Sequence, residues 1–526
     1  MRRSFLSFLP PLLGFLVSLA GSLPAQKQLQ LIRVPNQPRI GTFGESTAIS
    51  GNLMAVGASD ERVTGNYAGA VYVYKKVGTS WVLDARLTAP VPTALDRFGS
   101  TVALSGSVLV VGAPAILSKV HNGRIHIFRR KNGKWTHEAQ FERGRWFGVS
   151  ISISGNRVVS GAPGTRHSRV NWGGNNYAGA VWVFRFNGTK WVEEAKLLAG
   201  DPGYSDHFGS AVAIQGNSLL IGASGDSDEA QRRYGIGSVY AFDWNGSAWV
   251  QSQKFRALKF ADQSFFGAAI SWDGNEALIG SPGKKANGTW GAGAAYLFHK
   301  GTGGWVEQQK WTSPWPSTSA AFGRRVVLKG GLALIGHQGR DAEGNKRGAI
   351  HVWRRSPTNK WIPEPPFQGR GLVGKYSDFN GGLALDGNTL VAGGYIEDNS
   401  SWSGGAAWVF DMSPAFHLMV LPLPVVTKDT AKFELRFAPK NAVGILMFGF
   451  TGTTKLPLPW PGTVLRLNAP MIIGAMSTGT KGKALWEFNI PAVAQGVRLW
   501  TQALEIESFS KAKTSNLIYT RIRAPF

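Results

Sequence analysis

The chain has 526 residues, no cysteine, and 57 lysines and arginines against 32 aspartates and glutamates, a formal net charge of +25. The absence of cysteine excludes a disulfide scaffold, so stability must come from packing, for which 43% hydrophobic residues supply a sizeable core. The charge favours an anionic partner: acidic polysaccharide, a negatively charged envelope or nucleic acid.

At the N-terminus Arg2 and Arg3 precede an apolar run from Phe5 to Ala20 that ends in small residues and Leu-Pro-Ala-Gln. This is the build of a secretory signal peptide occupying residues 1–25, cleaved after Ala25. Pro10 and Pro11 interrupt the run, which is short of the ~20 residues that a spanning helix needs. No transmembrane segment is expected after cleavage, and no cysteine follows that would carry a lipid anchor. Removal of residues 1–25 leaves 526 − 25 = 501, and a charge of +23 without Arg2 and Arg3. Export makes nucleic acid an unphysiological partner, although a basic chain still binds it nonspecifically at low salt.

From there a pattern recurs. Phe-Gly stands at Phe43, Phe98, Phe147, Phe208, Phe266 and Phe322, with a degenerate Phe379-Asn380. A spacing of about 50–60 residues suits one four-stranded sheet per repeat. Each unit reads in the same order. An alternating strand ends at a tight turn such as Gly216-Asn217, and an apolar run leads into Gly-Ala-Pro or a variant, as at Gly112-Ala113-Pro114. A third strand begins at a glycine (Gly69, Gly123, Gly179, Gly237, Gly293, Gly348, Gly405), and a fourth opens with tryptophan, as at Trp81, Trp135, Trp191, Trp249, Trp305 and Trp361. In the fourth strand of the third unit, alternation puts Trp191, Glu193, Ala195 and Leu197 on one face and Val192, Glu194 and Lys196 on the other.

The ends of the repeat region complement each other. Lys27 to Ile32 reads as a fourth strand lacking its first three, while Phe410 closes a third strand with no tryptophan-led fourth before Pro414. A ring with its seventh blade shared between the termini leaves no open sheet edge, whereas an open solenoid leaves both fragments unpaired. At these positions, over Lys27 to Asp411, the sequence resembles the FG-GAP repeats of integrin α-subunit heads and of many exported bacterial proteins. The resemblance implies a seven-bladed β-propeller over residues 26–411. It does not imply a ligand. The tail, residues 412–526, loses the period and shows six short candidate strands, Ala431–Ala438, Ala442–Thr451, Thr463–Leu467, Ala484–Ile490, Gly496–Ile506 and Asn516–Ile522, which suit a small antiparallel β-sandwich. The expected fold class is all-β.

Integrin-type repeats often carry a calcium loop between the first two strands of the unit. Here that connection is a two-residue turn, with Asp273 the nearby acid before Gly274-Asn275, too short to wrap a cation in six or more oxygens. No cofactor and no metal site is therefore expected. The clusters Asp226, Asp228, Glu229 and Asp341, Glu343 lie in another loop and read as solvated acids. No catalytic motif of the metalloprotease, P-loop, serine hydrolase or dinucleotide type occurs.

Topology is more informative. In a four-stranded antiparallel blade, the turns between strands one and two and between three and four emerge on one face, and both sets are tight. The long, variable connections converge on the opposite face. They carry Arg145 and Trp146; Arg166, His167, Arg169, Trp172 and Tyr177; Arg232, Arg233 and Tyr234; Lys284, Lys285 and Trp290; and Trp402. Cationic and aromatic side chains together suit stacking on sugars and pairing with carboxylates or sulfates. The expectation is an exported, non-enzymatic binding or adhesion protein for an anionic polysaccharide or a cell-envelope partner, located in the periplasm, on the surface or outside the cell. A polysaccharide lyase or hydrolase on the same scaffold, or a purely structural envelope protein, are the alternatives.

Overall fold

A computed structural model describes residues 28–34, 42–63, 66–118, 122–168, 170, 176–228, 232–259, 261, 263–339, 348–368, 376–378, 381–398 and 401–413, with short strands beyond. The chain forms two compact units, Met1–Ser413 and Pro414–Phe526.

The first unit is a seven-bladed β-propeller. Six blades are four-stranded antiparallel meanders in sequence order, covering Phe43–Leu87, Thr101–Glu142, Ser150–Leu197, Phe208–Phe255, Ala269–Thr312 and Val326–Gln368. In the seventh, Leu383–Asp386, Thr389–Asp398 and Ser401–Asp411 take as fourth strand the N-terminal Gln28–Ile32, in antiparallel register Gln30 to Val409, Leu31 to Trp408 and Ile32 to Ala407. First strands of adjacent blades touch all the way round.

The recurring dipeptide is the seam between blades. Phe98 donates its N–H to the Ala68 carbonyl of the preceding blade (3.0 Å), and Gly99 donates to Gly112 of its own (2.9 Å). The Phe98 ring, wholly buried, sits edge-on to His126 and Phe128. Phe208 and Phe266 repeat the arrangement against Tyr240 and Phe242, and Tyr296 and Phe298. The backbones approach so closely that a Cβ at Gly57, Gly161 or Gly222 would lie 2.0 Å from the carbonyl oxygen of Gly99, Gly209 or Gly267 in the next blade. Glycine is therefore a packing requirement of the seam. Gly393 meets Gly44 in the same way, so the last seam closes like the others.

On the tight-turn face, side chains link successive turns. Ser50, Ser154, Asp273 and Asp386 accept hydrogen bonds from the turn N–H groups of Gly106, Gly216, Gly330 and Gly51 in the next blade, at 3.0, 3.2, 2.8 and 2.6 Å. Asp273 thus holds a neighbouring turn.

The fourth strand departs from simple alternation. A register shift three residues after the tryptophan bulges out Asp84, Glu138 and Glu194. Each of these carboxylates accepts the indole N–H of the next blade's tryptophan, from Trp135, Trp191 and Trp249 at 3.0, 3.2 and 3.1 Å. The expected face of Trp191, Glu193, Ala195 and Leu197 is therefore corrected. Glu194 turns inward with a side chain 8% exposed, and Glu193 outward at 36%. A bulge re-aims side chains in this way because it adds one residue to one strand of the pair.

Three core histidines face the seam phenylalanines. Burial pulls His126 and His351 down to about 3 and His337 to about 4, and His137 beside His126 adds to the first shift. Unfolded, they titrate near about 6.5. Below that pH the unfolded chain takes up protons that the fold excludes, so their contribution to stability falls as the pH drops from about 6.5 towards 3. Asp206, pushed up to about 7 mainly by burial, has the opposite sign: its contribution is lost as the pH rises from about 4 to 7. At pH 4.5 each fully buried histidine opposes folding by about 3 kcal/mol. The melting temperature is expected to fall by several degrees between pH 7 and 4.5, and His351→Phe should flatten that dependence. An identical pH profile in the variant would refute the assignment.

The C-terminal unit contributes strands at His417–Val420 paired with Phe433–Arg436, Val464–Arg466 paired with Pro470–Ile472, and Ser477–Thr478, Lys483–Trp486 and Leu504–Glu507 in one sheet, all antiparallel. The expected strands Ala442–Thr451 and Asn516–Ile522 lie outside the described residues. Among the described residues, no helix is long and apolar enough to cross a membrane.

Candidate functional site

The long connections are held to one another by a repeated stitch. The segments before Phe98, Phe208, Phe266 and Phe322 run alongside the connection of the preceding blade: Leu95 and Arg97 donate to Asn66 and Tyr67, His207 to Tyr177, Gln263 and Phe265 to Tyr234 and Gly235, and Ser319 and Ala321 to Trp290 and Gly291. To reach these carbonyls, Leu95, Arg97, His207, Phe265, Ser319 and Ala321 adopt positive φ values of 50–69°. Such values are uncommon away from glycine and are imposed here by the surrounding pairing.

Beneath the stitch lies an anchor. In the first, third, fourth and fifth blades the fourth residue after the second-strand glycine donates its N–H to the carbonyl three residues back and accepts an N–H at its own carbonyl, whereas Ile116 at this place in the second blade is exposed. Glu61, Asp226 and Lys284 occupy the position at 3%, 2% and 7% exposure. Glu61 takes Arg86 (Nε at 2.8 Å), and Asp226 takes Lys254 at 3.0 Å, Arg256 at 2.9 Å and the Ser238 hydroxyl. The cluster read from sequence as solvated acids is therefore a loop anchor at Asp226, and Asp228 lies 3.6 Å from Arg256. Glu229, Asp341 and Glu343 lie outside the described residues. Among the described residues, no group of three His, Cys, Asp or Glu could hold a metal ion.

The candidate residues separate accordingly. Lys284 stands at the anchor position: its ammonium donates to the Lys259 carbonyl at 2.7 Å, and burial, with Lys310 nearby, pulls its pKa below the ordinary range. His167 is 6% exposed, in a connection braced by Asn176, whose amide bonds the His167 N–H and carbonyl and the Val170 carbonyl. Both residues are buried within the loops. Trp402 is not in a loop but on the strand Ser401–Asp411, opposite Glu397, because the second and third strands of the seventh blade are extended to a short hairpin. Arg169 and Trp172 lie outside the described residues.

Two groups remain. Arg145, Trp146 and Tyr177 come together, with the guanidinium 5.5 Å from both ring centroids and the rings 5.2 Å apart. In the fifth blade the Lys285 ammonium sits 4.9 Å over Trp290, beside a tight hairpin closed by Ala286 and Thr289. Arg166 and Arg232 are exposed, Tyr234 is 62% and Trp290 53% exposed, and Arg233 exchanges backbone bonds with Asp228. Sequence reading missed Phe265, 41% exposed over Gly235 and Gly283. Its place directly before a seam phenylalanine was the available signal.

Seam, stitch and loop face define a propeller scaffold of the binding or structural kind. Residues 81–128, 191–242 and 249–298 match the FG-GAP repeat family. Each matched segment runs from the fourth-strand tryptophan of one blade to the third strand of the next, so the unit is centred on the seam. With seven blades on this plan, the chain is an FG-GAP repeat β-propeller protein. No curated protein sequence matches it.

Proposed function

We propose that this is an exported, non-enzymatic binding protein whose loop face engages an anionic glycan or cell-envelope partner. The observation that carries the reading is where exposed apolar side chains stand. Tyr67, Tyr204, Tyr234, Leu258, Phe265 and Trp290 are 40–75% exposed on the long connections, beside Arg232, Arg233 and Lys285. Val91, Ile116 and Leu117 stand on the long connections too; among the described residues, the tight-turn face carries Val77 at one turn, and Leu29, Val82, Leu83, Val250 and Val306 lie on outer strands. Exposed aromatic rings beside cations suit sugar faces and their acidic groups. A non-enzymatic role is supported by three acids of this face, Glu61, Asp96 and Asp226, each held by an arginine or lysine in anchoring contacts. The signal-like N-terminus and the net charge of +25 support export towards an anionic surface.

The test uses the full chain on a glycan array and a heparin column. Tyr234→Ala with Trp290→Ala is expected to weaken retention at least fivefold, and Arg232→Glu to lower the eluting salt. Unchanged retention in both variants sinks the assignment of this face, and release of unsaturated or shortened products from an acidic polysaccharide sinks the non-enzymatic reading.

A further inference from the structure

We infer that Arg145, Trp146 and Tyr177 form a subsite for a uronic acid, the guanidinium taking the sugar carboxylate and the aromatic rings flanking the pyranose. The inference rests on the reading that the loop face binds an anionic glycan, and it names where and through which group.

Arg145 differs from the arginines around it by what it lacks. Its neighbours are paired: Arg143 with Glu193, Arg157 with Glu194 at 2.8 Å, Arg124 with Asp96 at 2.6 Å. Arg145 has no carboxylate and no hydrogen-bond acceptor among the described residues; its Nε is buried without a partner. The adjacent Trp146 Nε1 is likewise buried with no acceptor. Two orphan donors on consecutive residues carry a desolvation penalty that an oxyanion would relieve. What compensates the charge at present is the pair of rings, each with its centroid 5.5 Å from the guanidinium carbon.

The group is held in place before any ligand arrives. Gly164 backs the indole so closely that a Cβ there would lie 2.8 Å from the ring. Tyr177 packs against Trp146 and stacks on His207, ring centroids 6.3 Å apart, and His207 in turn lies 6.1 Å from Trp146, so the three rings brace one another. Burial lowers the His207 pKa, which leaves that ring neutral at pH 7 and Arg145 as the charge of the group. A planar fork suits a carboxylate in two parallel hydrogen bonds, and fixed aromatic rims lower the entropy cost of seating a sugar.

The experiment titrates the full chain, by calorimetry and tryptophan fluorescence, with four oligosaccharides of equal length: oligogalacturonate, its methyl ester, a sulfated oligosaccharide and a neutral one. Oligogalacturonate is expected to bind at least tenfold tighter than its methyl ester. Arg145→Gln should abolish that difference and Arg145→Lys should retain part of it, which also decides the matter if the glutamine variant does not fold. Oligogalacturonate binding that survives both substitutions overturns the subsite and leaves the loop-face reading standing. Preference for the sulfated ligand, lost in Arg145→Gln, overturns the uronate assignment in favour of sulfate. No binding of any acidic oligosaccharide by the unmodified chain overturns the loop-face reading and the subsite with it.

Discussion

Gly222→Ala is expected to unfold the ring, whereas Gly216→Ala in the same blade costs about 1–2 kcal/mol. Gly222 has ordinary backbone angles, so alanine is conformationally acceptable there. Its Cβ would nonetheless lie 2.0 Å from the Gly267 carbonyl oxygen and 2.9 Å from the carbonyl carbon of the next blade. A comfortable carbon–oxygen contact is about 3.3 Å, so the two blades must part by more than 1 Å. Closed packing resists such a shift, because the seam phenylalanines Phe208 and Phe266 are at most 1% exposed and have no room to follow. The expected loss exceeds about 4 kcal/mol, a large part of the stability of a typical domain. Gly216 has φ +57° and nothing within 4 Å of its Cβ position, so alanine meets only backbone strain. Thermal unfolding of both variants checks the contrast; equal melting temperatures would refute the seam argument.

Removal of residues 1–34 should be comparably damaging, while removal of residues 1–26 should be neutral. The strand Gln28–Ile32 covers the open edge of the seventh blade and buries Ile32 and Val34 to 4% and 8% exposure. Gln30 also bridges to the first blade, donating to the Trp81 carbonyl at 3.0 Å and accepting its N–H at 2.8 Å. Gln253 makes the same pair of bonds with Trp305 between the fourth and fifth blades, so the N-terminal strand reproduces an ordinary seam. Two buried aliphatic side chains contribute about 1.5–3 kcal/mol each and the hydrogen bonds about 1 kcal/mol each, before counting the lost strand pairing. The exposed edge Ser401–Asp411 then invites intermolecular pairing. Light scattering should show the shorter variant aggregating well below the melting temperature of the longer one, and a soluble monomer of unchanged stability would count against the closure.

The scaffold was largely legible because its signals are local. Period-two alternation, glycine turns and tryptophan-led fourth strands depend on residues close in sequence, and their recurrence identified the blades. The functional face was legible only as loops. Arg145 and Tyr177 lie in different connections, and nothing in the alternation of either brings them together; their packing at one end of the third blade does. Lys284 reads as a loop cation, yet it stands four residues after Gly280, just as Asp226 stands four after Gly222 and Glu61 four after Gly57. That offset was visible but meant nothing until the structure showed the position facing inward.

What the sequence by itself determined is therefore the blade: its strands, its tight turns and the glycines that the seams require, since backbone chemistry over a few residues decides them. What only the tertiary structure decided is which way side chains face where blades meet. The fourth-strand bulge turned Glu194 inward and Glu193 outward, the stitch forced Arg97 and Phe265 into left-handed backbone, and the anchor buried Lys284. Each outcome depends on a partner some 25 to 60 residues away, which local periodicity does not encode.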